Sequence, residues 1–149
     1  MKIFYESHED WKAKADYLRC SPQFHGTKRH DHVLVHGEKV DFFAKLILIF
    51  SVEFEEREYP LALIQPLDRP TGTLRRKDRL LELFRVGAQP RDRPELISIH
   101  SIIRGAFIIP DFENTDDCFV VDTIDGDMFL RIRKYWAATR QEPRIHVFT

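Results

Sequence analysis

The sequence has only two cysteines, Cys20 and Cys118, and no CxxC pair. A disulfide framework is therefore not expected, and an intracellular setting is the default. No apolar run approaches the roughly 20 residues that a bilayer-spanning helix needs. Ala44 to Phe50 is broken at Lys45 and followed by Ser51 and Glu53, so no membrane partner is expected. The start, MKIFYESHED, carries acids where a signal peptide would be apolar. GxSxG, HExxH and a glycine-rich phosphate loop are all missing, so no catalytic residue, metal or cofactor is indicated. The chain also lacks internal repeats and low-complexity tracts.

What remains is a chain of 149 residues, 43% hydrophobic and 32% charged, which suits one globular domain. Its strongest pattern is Phe42 to Phe54, FFAKLILIFSVEF. With period two, Phe42, Ala44, Leu46, Leu48, Phe50, Val52 and Phe54 share a face, which predicts a long strand with that face buried. Asp31 to Val35 predicts a strand before it. Glu55 to Glu58 reads as a charged hairpin loop, and Tyr59 to Gln65 as the returning strand, with Pro60 and Pro66 at its ends. Further strands are expected over Arg79 to Val86 (with a helix as alternative), Glu95 to Ile99, Ala106 to Ile109 and Cys118 to Val121, with a turn at Arg104-Gly105.

Two helices complete the expectation. Ser7-His8-Glu9-Asp10 has the form of a capping box, with Trp11, Ala15 and Leu18 at helical spacing behind it and Pro22 as the stop. Gln23 to His30 then reads as a loop. Asp125 or Asp127 can cap a C-terminal helix from about Met128 to Ala138. The fold class is thus mainly β, a small barrel of six to seven antiparallel strands with an N-terminal and a C-terminal helix. Residues 1–138 form a single domain and residues 139–149 a loosely docked tail.

Net charge is −1, yet the charges are sorted along the chain. Eight bases and three acids lie between Arg69 and Arg93, and seven acids with no base lie between Asp111 and Asp127. Two loops of opposite sign can form separate patches or pair with each other. Arg75, Arg76, Lys77 and Arg79 are the candidate contacts for nucleic acid or another acidic partner, through phosphate neutralisation. His25, His30, His32 and His36 with Cys20 offer metal-binding side chains, but no spacing matches a zinc signature. Asp122, Asp125 and Asp127 could hold a divalent cation in a metal-dependent enzyme; N-capping explains the same residues.

HGTKRHDHVLV, FFAKLILIF, YPLALIQPLDRPTG, RRKDRLLELFRV, SIIRGAFIIPDF and VVDTIDGDMFLRI occur in this order. In that order they resemble the C-terminal region of proteins encoded by fungal transposons of the Plavaka/KDZ kind. The resemblance runs from Trp11 to Arg133 and implies a terminal module without the DDE-type transposase core, either a fragment or a freestanding derivative. The strand layout is also similar to that of bromo-adjacent homology (BAH) domains, barrels associated with chromatin. Arg69-Pro70 matches an Arg-Pro pair of that family, while Ile64, Gln65 and Leu67 stand where it has aromatics. The resemblances imply a non-catalytic interaction module acting on nucleic acid, a nucleosome or histone tail, or another protein, with nuclear residence among the options.

Overall fold

The computed structural model describes residues 1–69, 75–87, 94–114 and 116–140. Its organising sheet is antiparallel and five-stranded, ordered β10-β5-β6-β7-β9. These strands span His32–Val35 (β5), Phe42–Phe54 (β6), Arg57–Leu67 (β7), Glu95–Ser98 (β9) and Ile102–Ala106 (β10). β6 has the bounds the period-two pattern predicts. Pro60 and Pro66 lie inside β7, but outside the stretch Leu61 to Ile64 that pairs with β9. Each missing N–H therefore falls where β7 has one neighbour rather than two.

A bulge at Ile47 divides β6. Leu46 faces Ile64 and Leu48 faces Leu63, so Ile47 is the unmatched residue. Before the bulge, the even positions Ala44 and Leu46 join Val33, Val35, Ala62, Ile64 and Ile102 in one core. Phe43 looks the other way, into a second core with Leu34, Leu67, Phe84, Val86, Val120, Met128 and Ile132. After the bulge the parity reverses, and Ile49 packs on the first core while Leu48 is 48% exposed. The expectation of one continuously buried face is corrected accordingly.

The first core is covered by an N-terminal hairpin, Lys2–Glu6 (β1) and Ala13–Tyr17 (β2), through Ile3 and Leu18. No helix forms here, contrary to the capping-box expectation. Ser7 Oγ accepts from the Glu9 amide and Asp10 Oδ1 from the Lys12 amide, two local turns that compete with a helical first turn. Trp11 sits at φ +57 and is 70% exposed while Leu18 is buried on the first core, so the residues at helical spacing do not share a face. The loop expected over Gln23 to His30 is a second hairpin, Cys20–Phe24 (β3) and Thr27–His30 (β4). His25 and Gly26, at φ +48 and +80, supply the left-handed pair that a tight hairpin turn requires.

The second core is covered by Gly126–Arg140 (α2) and a three-stranded sheet ordered β11-β12-β8. Its strands are Phe84–Gly87 (β8), Ile108–Pro110 (β11) and Asp117–Val120 (β12). The C-terminal helix is longer than predicted, and Met128, Ile132 and Tyr135 pack on the core as expected. A short helix, Arg76–Leu80 (α1), replaces the start of the strand expected from Arg79. Arg104-Gly105 is not a turn but lies within β10. A Cβ on Gly105 would come within 3.2 Å of Leu18, so the glycine serves close approach of the N-terminal hairpin. The fold is mainly β as predicted, but twelve strands are seen among the described residues, in four sheets that do not close into a barrel. The Pro70–Leu74 part of the basic loop and the tail 141–149 lie outside the described residues. No described helix is long and apolar enough to cross a membrane.

Candidate interaction surface

Arg75, Arg76, Lys77 and Arg79 lie on and just before α1, all exposed. The structure brings two of them to the acidic loop. Arg75 Nη2 donates to Asp117 Oδ2 at 3.3 Å, and Lys77 Nζ to Glu113 Oε2 at 2.8 Å. Beneath them lies Arg85, 3% exposed on β8. It donates to both oxygens of Asp78 (2.7 and 3.0 Å), to Asp111 Oδ2 (2.6 Å) and to Asp117 Oδ2 (3.0 Å). Its hydrogen bond with Asp78 raises its pKa above the usual value, and the same guanidinium holds Asp111 below the usual carboxylate range. One cation facing three carboxylates leaves a negative excess that Arg75 partly offsets. Of the two arrangements open to the charged loops, pairing is the one realised for Arg75 and Lys77. Arg76 and Arg79 have no ion pair among the described residues.

Asp125 and Asp127 are engaged by a second buried arginine. Arg104, 4% exposed on β10, donates to both oxygens of Asp125 (2.9 and 2.7 Å) and to Asp127 Oδ2 (2.7 Å). Asp125 Oδ1 also caps α2 by accepting from the Met128 amide, and Asp127 accepts from the His8 amide and from Arg131 Nε. Burial pushes Asp127 upward, but the hydrogen bonds from Arg131, the His8 amide and Arg104 hold it below the carboxylate norm. Asp122 opens the turn Asp122–Ile124 and takes no part in the Arg104 contacts. These aspartates lock strand, helix and N-terminal hairpin together.

The histidines are dispersed. His25 occupies a hairpin turn, His30 Nδ1 is 3.1 Å from the Leu46 carbonyl, and His36 Nδ1 is 2.9 Å from Asp41. His32 lies half-buried on β5, where burial and Lys45 lower its pKa. No group of three metal-binding side chains converges among the described residues.

Aromatic faces do surround Arg69, from positions the sequence did not flag. Its guanidinium carbon lies 3.9 Å from the Trp136 ring centre, 4.9 Å from Phe84 and 5.6 Å from Tyr135. Burial lowers the Arg69 pKa, and the rings compensate for lost water through their quadrupoles. An adjoining cavity of 210 Å³ is bordered by Val40, Asp41, Phe42, Leu67, Arg69 and Phe84. The chain's own cation thus fills this cage, joining the end of β7 to α2.

Among the described residues, no element covers the distal half of the β6–β7–β9 face. Cross-strand partners project to the same side, so Leu48, Leu63 and Leu96 form one row and Phe50 and Leu61 the next. Val52 with Tyr59 and Phe54 with Arg57 continue it to the hairpin tip. This is the face that carries Phe43 and Leu67 into the second core further down. Beyond the row of His32, Lys45 and Gln65 it runs out from under its cover. Leu96 is 57% exposed, Phe54 62%, Tyr59 43% and Val52 42%. The opposite side of the tip carries Ser51, Glu53 and Glu58. Sequence alone gave the apolar residues but not their exposure, because periodicity cannot tell where a covering layer stops. No known protein family matches the chain, and neither the curated proteins nor the solved structures contain a significant match.

Proposed function

We propose that this chain is a non-catalytic interaction module of a transposon-derived protein that docks a protein partner on the distal β6–β7–β9 face. The observation that carries this reading is the row of exposed Leu48 and Leu96 with half-buried Leu63 between them, continuous with Phe50, Leu61, Val52 and Tyr59 and without a covering element among the described residues. Contiguous exposed apolar surface is costly to solubility and marks contact sites in soluble proteins. Tyr59 and Phe54 are of the type that anchors interfaces. The BAH-like layout and the chromatin setting belong to the same proposal. A second reading, phosphate contact through the basic loop, is favoured by Arg76 and Arg79, which are exposed and unpaired among the described residues.

One experiment separates the two. Tagged wild type, the pair Leu48→Gln with Leu96→Gln, and the triple Arg75→Ala, Arg76→Ala, Lys77→Ala are used for quantitative partner capture and for gel-shift titration against duplex DNA. The glutamine pair is expected to lose the captured protein while the arginine variant keeps it. An unchanged partner set with the glutamine pair overturns the docking reading. A DNA shift that weakens and loses salt dependence only in the arginine variant supports the second.

A further inference from the structure

Tyr135 borders two cavities, the one beside Arg69 and another of different character. The second has a volume of 240 Å³ and is walled by three segments. From α2 come Arg131, Lys134 and Tyr135, which share one helical face at i, i+3 and i+4. The β5–β6 connection adds Lys39, Val40 and Asp41, and the β1–β2 turn adds His8. Asp41 is the single acid lining the cavity among the described residues, and His36 Nδ1 already lies 2.9 Å from it. Arg131 is anchored on Asp127 through Nε and on the Glu6 carbonyl through Nη2, which leaves Nη1 without a hydrogen bond among the described residues. Lys39 and Lys134 are exposed and take part in no ion pair among the described residues. Arg85 and Arg104 face carboxylates and Arg69 faces rings, whereas here two ammonium groups and a guanidinium border one space that holds a single carboxylate. The imbalance reaches His8, whose pKa is lowered by burial and then by Arg131 and Lys134, against Asp127 and Glu6.

We propose that this cavity, walled by Lys39, Arg131 and Lys134, binds the phosphate group of a small phosphorylated organic molecule. The lysines approach as compact charges from opposite walls, and Arg131 adds a guanidinium N–H, so the phosphate oxygens meet charge-assisted donors. Leu34 and the Tyr135 ring line the same space, so an organic substituent meets apolar and aromatic surface. The volume lies just under the range of about 300–1,000 Å³ typical of small-molecule sites, which suits a compact ligand. A nucleic-acid backbone is the poorer match. It needs cations spaced along a track, and a single cavity with Asp41 in its wall offers one point of contact. None of these residues belongs to the apolar β6–β7–β9 strip, so the site stands or falls independently of partner docking there.

The test uses the full chain with phenyl phosphate as probe, and with inorganic phosphate and phenol as its two halves. Binding is followed by calorimetry and by amide shifts in NMR spectra. Phenyl phosphate is expected to shift the amides of His8, Lys39 and Lys134 and to bind roughly tenfold more tightly than inorganic phosphate, while phenol leaves them unmoved. Lys39→Gln with Lys134→Gln, both at exposed positions, should weaken phenyl phosphate by roughly tenfold or more at an unchanged thermal midpoint. Arg75→Ala with Arg76→Ala and Lys77→Ala should leave that affinity as it is. Unchanged affinity in the lysine variant, or shifts confined to the basic loop, overturns the site. Inorganic phosphate binding as tightly as phenyl phosphate reduces it to a free-anion site and overturns the organic ligand. A short DNA duplex that displaces phenyl phosphate, and loses affinity in the lysine variant, assigns the cavity to nucleic acid and likewise overturns the inference.

Discussion

Arg104 stands on β10 between Asp125 and Asp127, with Tyr5 under its guanidinium at 4.6 Å. Three segments meet at this one side chain: β10 bears it, α2 begins at its carboxylates, and the N-terminal hairpin reaches it through Tyr5 and the His8 amide. The contacts are charge-assisted and partly bidentate, the geometry that Arg makes and Lys does not. Removing the guanidinium takes the main partner from Asp125, which is partly exposed, and one of three partners from the buried Asp127. Arg104→Met should therefore destabilise the protein by about 2–3 kcal/mol, less than for a fully buried and unpaired charge. Arg104→Lys should recover only part of that loss. Urea denaturation measures both, and a cost below about 1 kcal/mol for the methionine variant would show the network to be dispensable. The sequence offered only a faint sign of this role, a lone arginine in the apolar run SIIRGAFII. Its partners lie 21 and 23 residues away, and no local pattern selects among seven acids.

At the scale of elements, β6 and the Tyr59 to Gln65 part of β7 were legible because their alternation leaves few other conformations, while the extension of β7 to Arg57 and Leu67 was not. The N-terminal hairpin was not, because Ser7-His8-Glu9-Asp10 satisfies a helix cap and a tight turn equally well. Only burial of Ile3 and Leu18 on the sheet decides between them. The β6–β7 turn has its own peculiarity. Glu55 and Glu56 take φ values of +49 and +60, the conformation for which Asn-Gly is suited. Left-handed backbone costs an ordinary residue roughly 1 kcal/mol. Glu55→Asn with Glu56→Gly should accordingly stabilise the fold by about 1–2 kcal/mol, read as a higher thermal midpoint. An unchanged or lower midpoint would contradict the assignment of strain to this turn.

For the whole molecule, the buried charges set the response to pH. Asp111 is held below the ordinary carboxylate range by Arg85, Asp125 by Arg104, and Asp127 by Arg131, the His8 amide and Arg104 against its own burial. In each case the folded state binds fewer protons than the unfolded chain. The stabilisation is complete above the unfolded value of about 4 and is lost as pH falls through the lower folded values. Burial lowers His32 too, so its contribution is present above about 6.5 and declines as pH falls below that. The urea midpoint should thus fall in two stages between about pH 7 and pH 3. A midpoint rising towards acid would contradict the assignments. That the chain is mainly β was readable from its alternating segments. That the sheets stay open was not, since closure depends on which edges meet.

Ile47 acts on β6 much as an inserted letter acts on a reading frame. Up to Leu46 the even-numbered residues spell the interior; from Leu48 onward the same parity spells the exterior. Two leucines two positions apart therefore obey opposite rules of tolerance, and a substitution judged safe from one would be misjudged at the other. The exposed strip is the same strand written out in its second frame, carried past the end of the layer that covers Phe43 and Leu67.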